Sequence, residues 1–143
     1  MGKYLFYIQL TLIMSLFYFG DLDNLLSNTL ATFLFTLGTS LALWAFYNMG
    51  SKNYSPFPEP RPTGKFTQSG VYKYIRHPMY AGLMLITSSL FLSNLNFTSF
   101  VLYAALLYVL DEKATLEETL LAKLHPAYPK YMEKTKKFIP FIY

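Results

Sequence analysis

The chain has 143 residues, of which 53% are hydrophobic, 19% aromatic and only 14% charged, so it fits one domain, and its charge content lies well below the ~25% of an ordinary globular domain. With no cysteine and only two histidines, His77 and His125, it cannot form disulfides, thiolate metal sites or a cysteine nucleophile, and has too few imidazoles for a histidine metal cluster. The net charge of +4 is spread without a dense basic stripe, so no nucleic-acid partner is expected, and the apolar balance points to a membrane.

The first apolar run, residues 4–19, follows Lys3 and ends in FYFGD without a small-x-small cleavage pattern. A retained helix is therefore expected rather than a signal peptide, and Phe6 stands where a myristoylation signal needs Ser or Thr. Such a helix would be about 24 Å long, slightly short of a ~30 Å hydrocarbon core, with tyrosines at its ends to extend into the interface. Thr29–Met49 is long enough to span, and Trp44 and Tyr47 are placed as interfacial anchors. Residues 78–92 and 95–110 form two further runs. The polar break around Ser93, Asn94 and Asn96 predicts a tight turn that makes them a helical hairpin.

Charge sets the expected orientation. The loop over residues 20–28 carries Asp21 and Asp23 and no cation. Residues 50–77 carry Lys52, Arg61, Lys65, Lys73 and Arg76 against Glu59, and the tail after Leu110 carries six lysines. By the positive-inside rule, both termini and the 50–77 loop are cytoplasmic, and four spans satisfy this. The expected fold is thus an all-α integral membrane protein, a single domain over residues 1–143, with about four transmembrane helices and a cytoplasmic C-terminal helix in the 111–143 tail. Pro56, Pro58, Pro60 and Pro62 make residues 51–64 an extended strap rather than a second domain, because X-Pro steps disfavour helix.

The stretch GVYKYIRHPMYAG, residues 70–82, places Arg76, His77 and Pro78 at the start of the third run. Pro78 suits the first helical turn, where its missing N–H leaves nothing unsatisfied. The free N–H groups and dipole of a helix start favour an anion, and Arg76 adds a fixed charge and His77 a donor. The same residues could instead be a juxtamembrane cation patch on lipid headgroups. Tyr72, Tyr74 and Tyr80 crowd the site, where their faces could hold a cation or simply form an interfacial belt. Gly70 suits a turn, and Gly82 suits close helix packing or close approach to a ligand.

Residues 111–124 read as a helix. With Leu116 at zero and about 100° per residue, Leu120, Leu124 and Leu121 mark an apolar arc that contains Glu117 and Lys113 and leaves Glu118 outside. Glu117 therefore needs a partner, either Lys113 one turn away or a ligand with hydroxyl or ammonium donors. His125-Pro126 is expected to end the helix. Tyr128, Tyr131 and residues 138–143 offer an interfacial end, with lysines suited to an anionic membrane surface.

GVYKYIRHPMYAG, a membrane hairpin, EETLL, and YPKY followed by FIP, in that order, resemble the isoprenylcysteine carboxyl methyltransferase family over residues 66–140. That family is part of a wider group of small membrane methyltransferases that includes phospholipid N-methyltransferases. The resemblance implies S-adenosylmethionine as cofactor, near the cytoplasmic face, and a lipophilic small-molecule or lipid acceptor. It implies cofactor positions at Lys65, Phe66, Thr67, Tyr72, His77, Pro78, Met79, Tyr80, Glu117 and Glu118. Arg76 and Glu117 take the catalytic roles, and Arg76 and Lys113 face the substrate, Lys113 standing where eukaryotic members carry an arginine. His125-Pro126 replaces the usual Phe-Gly. Two other readings are a sterol-reductase-like membrane enzyme using NADPH, whose similar segment usually has Asn at the place of Met79, and a non-enzymatic protein that binds anionic lipid.

Overall fold

The computed structural model describes residues 2–60 and 64–143. Arg61 and Pro62, counted above among the loop cations and strap prolines, lie outside them. The described residues form α1 (Gly2–Phe19), α2 (Leu22–Ser27), α3 (Thr29–Met49), α4 (Pro78–Ser93), α5 (Phe97–Leu124) and α6 (Tyr128–Lys134), with a 3-10 turn at Gly70–Lys73. The expected all-α fold holds. By length and composition α3 is the one helix among the described residues apolar enough to cross a bilayer, and α4 is apolar but shorter.

Two boundaries follow from local chemistry read in the sequence. α4 starts at Pro78 with His77 in the cap position. α5 starts after Asn96, whose side-chain oxygen accepts from the Ser99 N–H at 2.9 Å. One boundary differs. The run over 95–110 and the helix over 111–124 are a single 28-residue helix, because no Gly or Pro interrupts residues 97–124 and the chain has nothing to break it. The loop over 20–28 also holds the short α2, whose cap Asp21 accepts from Asn24 N–H at 2.9 Å.

α3 and α4 are the most closely packed pair, and α1 lies on α5. Gly38 and Gly82 make the α3–α4 approach possible: a Cβ on Gly82 would stand 2.7 Å from the Gly38 carbonyl oxygen, and one on Gly38 would stand 2.6 Å from that of Gly82. Side chains are excluded there and backbones touch. Leu16, Leu25, Ala31, Leu90, Leu106 and Leu110 form one buried cluster at the α2 end. That end is closed by polar side chains: Asp21 N–H donates to Ser93 Oγ (3.0 Å), Asn24 Nδ2 to the Ser93 carbonyl (3.1 Å) and Asn94 Nδ2 to the Phe19 carbonyl (2.8 Å). A second cluster, with Ala45, Val71, Tyr72, Ile75, Ala81, Ala114 and Phe138, lies at the other end.

At this second end the tail does not lie apart as an interfacial appendage. Tyr128 and Tyr131 are buried. Residues 136–137 run beside 74–77: Arg76 N–H donates to the Lys136 carbonyl (2.8 Å), His77 N–H to the Lys137 carbonyl (3.0 Å), and Lys136 N–H to the Tyr74 carbonyl (3.1 Å). Lys137, expected among the membrane-facing lysines, is buried on Asp111 and Thr115 of α5. The reason is chemical: a lysine stem covers apolar surface and its head finds a carboxylate one helix away.

Candidate functional site

A cavity of about 290 Å³ opens among the N-terminal ends of α1 and α4, the C-terminal ends of α3 and α5, the strap and α6. It lies near the lower end of the ~300–1,000 Å³ usual for small-molecule sites. Of the residues singled out in the sequence, Lys65, Phe66, Thr67, Tyr72, Arg76, His77, Met79, Tyr80, Lys113 and Glu117 line it. Pro78 and Glu118 do not; Pro78 shapes the helix start and Glu118 stands behind His77.

The loop that carries Tyr72 into the site turns at Gly70. Its φ is +58, the left-handed region that strains any other residue, and a Cβ there would also push the Asn48 side chain aside. The turn it makes sends Tyr72 inward, with 4% of its surface exposed. The Tyr72 hydroxyl is buried and is the one such side-chain atom among the described residues without a hydrogen-bond partner. Burial, with the charge of Glu117, pushes its pKa up, so it stays a neutral donor. Its own carbonyl receives the Tyr131 hydroxyl at 2.6 Å.

The two glutamates divide the work. Glu118 Oε1 accepts from Arg76 Nε at 2.6 Å and lies 3.0 Å from His77 Nε2. Burial would raise the Glu118 carboxyl, but the hydrogen bonds and charges of His77 and Arg76 outweigh it and hold the group below its ordinary range. The Arg76 guanidinium also donates to the carbonyls of Met132 and Thr135, so it caps α6 and ties it to α5. Glu117 is more open. Its Oε2 accepts from the Tyr80 hydroxyl at 3.0 Å and stands 3.8 Å from His77 Nδ1. The His77 ring is thus held between both carboxylates, and it stacks on Tyr80 at 5.4 Å with planes 1° apart.

The helical wheel misassigned this pair. Glu118, placed outside the apolar arc, is the more buried of the two, with a side chain 10% exposed against 23% for Glu117. In the arc, Leu116 and Leu120 are half-buried and Leu124 is 49% exposed. The buried stripe of α5 runs through Leu106, Val109, Leu110, Lys113, Ala114 and Glu118, at helical spacing but changing from apolar to charged partway along.

Lys113 is buried. Its ammonium donates to Gln9 Oε1 and the Pro56 carbonyl, both at 2.8 Å, and lies 5.2 Å from the Tyr80 ring centre. It thereby joins α1, α5 and the strap, and burial lowers its pKa to about 8 against the pull of Glu117 and Glu59. It does not ion-pair with Glu117. Phe57 of the strap packs edge-on to Phe6 of α1, at 5.0 Å. On the far wall Phe66 meets His125 and Tyr128 at 5.2 Å and Tyr131 at 5.6 Å. His125 also caps α5, its N–H on the Leu121 carbonyl. Beyond Tyr80 the lining turns apolar through Ala42, Leu83 and Ile86.

Gln9, Tyr128 and Tyr131 line the cavity but were not read as site residues in the sequence. A signal for Gln9 existed: it is a lone amide in an otherwise apolar run, and a polar residue inside such a run tends to face an interior site.

The family model for phospholipid methyltransferases matches residues 26–127, well over half of the chain. No curated protein sequence matches it. The matched segment contains α3, α4, α5 and the loop that bears Tyr72, Arg76 and His77, which is most of the cavity wall. The chain belongs to the phospholipid methyltransferase family, within the group of small membrane methyltransferases that also holds the isoprenylcysteine carboxyl methyltransferases.

Proposed function

We propose that this methyltransferase uses S-adenosylmethionine and methylates a lipophilic acceptor, through a carboxylate, thiol or amine, at the cytoplasmic membrane face. In this reading α1, α3, α4 and the first half of α5 cross the bilayer, and both termini and the strap are cytoplasmic. The broad exposed apolar surface, with Tyr4, Tyr7, Met14, Phe33, Leu43 and Phe97 among its members, supports burial in lipid.

The observation that carries the cofactor is the cavity's donor and acceptor set. An unpartnered Tyr72 hydroxyl, a half-open Glu117 carboxylate and several aromatic side chains belong to residues that line one cavity, and these suit a ligand that is cationic at one atom and carries hydroxyl and ammonium donors. S-adenosylmethionine, when bound, supplies a methyl group already activated on a sulfonium. The faces of Tyr72, Tyr80 and Phe66 would hold a cation. Glu117 would accept from an ammonium or hydroxyl. The N–H groups that α4 leaves free in its first turn, with His77 beside them, would take a carboxylate. Arg76 and Glu118 would act by fixing His77 and α6 in place. The strap and α6 would keep water out, and the apolar extension past Ala42 and Leu83 would take the acceptor's tail. A carboxylate or thiolate acceptor needs no strong base, so positioning is the protein's main task.

The test is S-adenosylmethionine binding to detergent-purified protein, with NADPH as the competing ligand. Glu117→Ala and His77→Ala are expected to weaken S-adenosylmethionine at least about tenfold, as loss of a charged hydrogen bond does. Unchanged affinity in both would remove the assignment, and retention of NADPH instead would move it to a reductase.

A further inference from the structure

The tail ends in a closed turn whose side chains point away from the protein. Phe138 and Ile139 N–H groups donate to Tyr143 O at 2.8 and 2.6 Å, and Ile142 and Tyr143 N–H groups donate to the Ile139 carbonyl at 3.2 and 3.1 Å. Four of the five backbone N–H groups of residues 138–143 are thus satisfied within the turn, which leaves few bare donors at an apolar boundary. Ile139 is 50% exposed, Phe141 85% and Ile142 74%. Phe141 is held at φ 65, a conformation a bulky residue seldom adopts. The fold therefore keeps three large apolar side chains outward at the expense of local strain.

The position of this turn is set by α5. Tyr143 Oη donates to Asp111 Oδ1 at 3.1 Å, and Lys137 binds the same carboxylate. Asp111 directly follows the segment read above as the last span, so the turn is tethered at the level of the membrane–water interface. Lys136 lies beside it with Ile142 and Tyr143, and Lys130, Lys134 and Lys136 are exposed on the preceding stretch of the tail, with Glu133 as the acid among them. An open cavity beside the turn is lined by Arg76, Lys136, Lys137 and Tyr143 among others.

We propose that the 139–142 turn inserts into the cytoplasmic leaflet and that the lysines around it engage an anionic bilayer surface, so that the tail is a membrane contact as well as a wall of the site. This rests on the span reading above. Apolar anchors of this kind bury about 5–10 Å into the headgroup–acyl boundary.

The test places the full chain in nanodiscs made with brominated lipids. Trp44 is the sole tryptophan and reports on α3; Phe141→Trp combined with Trp44→Phe reports on the turn. The expected result is bromine quenching of both probes, with the probe at position 141 quenched more in discs containing phosphatidylglycerol than in pure phosphatidylcholine. Quenching at Trp44 without quenching at position 141 overturns the proposal. A blue-shifted but unquenched probe at 141 also overturns it, and assigns the turn to a protein contact such as a second copy. Equal quenching in both lipids overturns the anionic-surface half. Absence of quenching at Trp44 defeats the span reading itself, which separates that failure from failure of the turn.

Discussion

The two ends of the helical bundle are built on opposite principles from the same helices. At the α2 end, leucines from α1, α2, α4 and α5 fill the interior and short loops are closed by Asp21, Asn24, Ser93 and Asn94. At the strap end the interior holds Arg76, His77, Lys113 and Glu118, and long segments fold over it. α5 contributes Leu106 to the first and Glu118 to the second on one continuous stripe. The lesson is that a single helix can serve as packing element at one end and as a rack of charges at the other. The second role requires each charge to find a partner, a carboxylate for Arg76 and His77 and neutral oxygens for Lys113.

The largest expected effect comes from unpairing one. Glu118→Ala leaves Arg76 and His77 buried without their carboxylate, and about 3–5 kcal/mol of stability should go. Thermal unfolding in detergent measures it, and a loss no greater than that of an exposed control such as Glu133→Ala would contradict the pairing. Leu106→Ala makes the matching cut at the other end. A cavity at this fully buried residue should cost about 2–5 kcal/mol, yet the folded fraction should keep most of its ligand affinity, because Leu106 does not line the cavity and meets it only through neighbours such as Tyr80 and Leu83. Gly70→Ala tests the turn that carries Tyr72: with φ +58 and the Asn48 side chain to be displaced, a loss of at least about 1 kcal/mol is expected, together with weakened binding.

Tyr72→Phe should separate stability from function. Removing an unpartnered buried hydroxyl leaves the ligand-free protein equal or up to about 1 kcal/mol more stable, while S-adenosylmethionine affinity falls several-fold; unchanged affinity would show that the hydroxyl serves no ligand. The smallest effect is in pH. Glu118 is held below the ordinary 4.5, so its contribution is full above that value and fades as pH falls through the depressed one; Glu118→Gln should flatten the acid limb of a melting-temperature profile. Lys113 has the opposite sign. With its pKa lowered from 10.5 to about 8, the unfolded chain binds more protons between those values, so stability rises with pH across that window, and Lys113→Met should abolish the rise.

Legibility in the sequence followed the same division. Pro78 at the start of α4, the polar turn at Ser93–Asn96, and the need for glycine at 70 and 82 rest on backbone rules that act locally, and all stand in the structure. The motif residues around Arg76 and Glu117 were also found, and most of them line one cavity. The orientation of the Glu117–Glu118 pair was not, because the wheel takes apolar residues as the inward side. Here Leu124 faces out and charge faces in. Nor did any local pattern announce that Tyr128 and Tyr131 fold back beneath Tyr72, since that depends on pairing between segments some sixty residues apart.

The short ladder between residues 74–77 and 136–137 has a bearing on the order in which this protein comes into being. Chains are made from the N-terminus, so every helix of the matched family segment exists before the strand that fixes Arg76 and His77 has emerged. The newborn molecule therefore passes through a stage with these helices made and Arg76 and His77 still without the backbone partners that hold them.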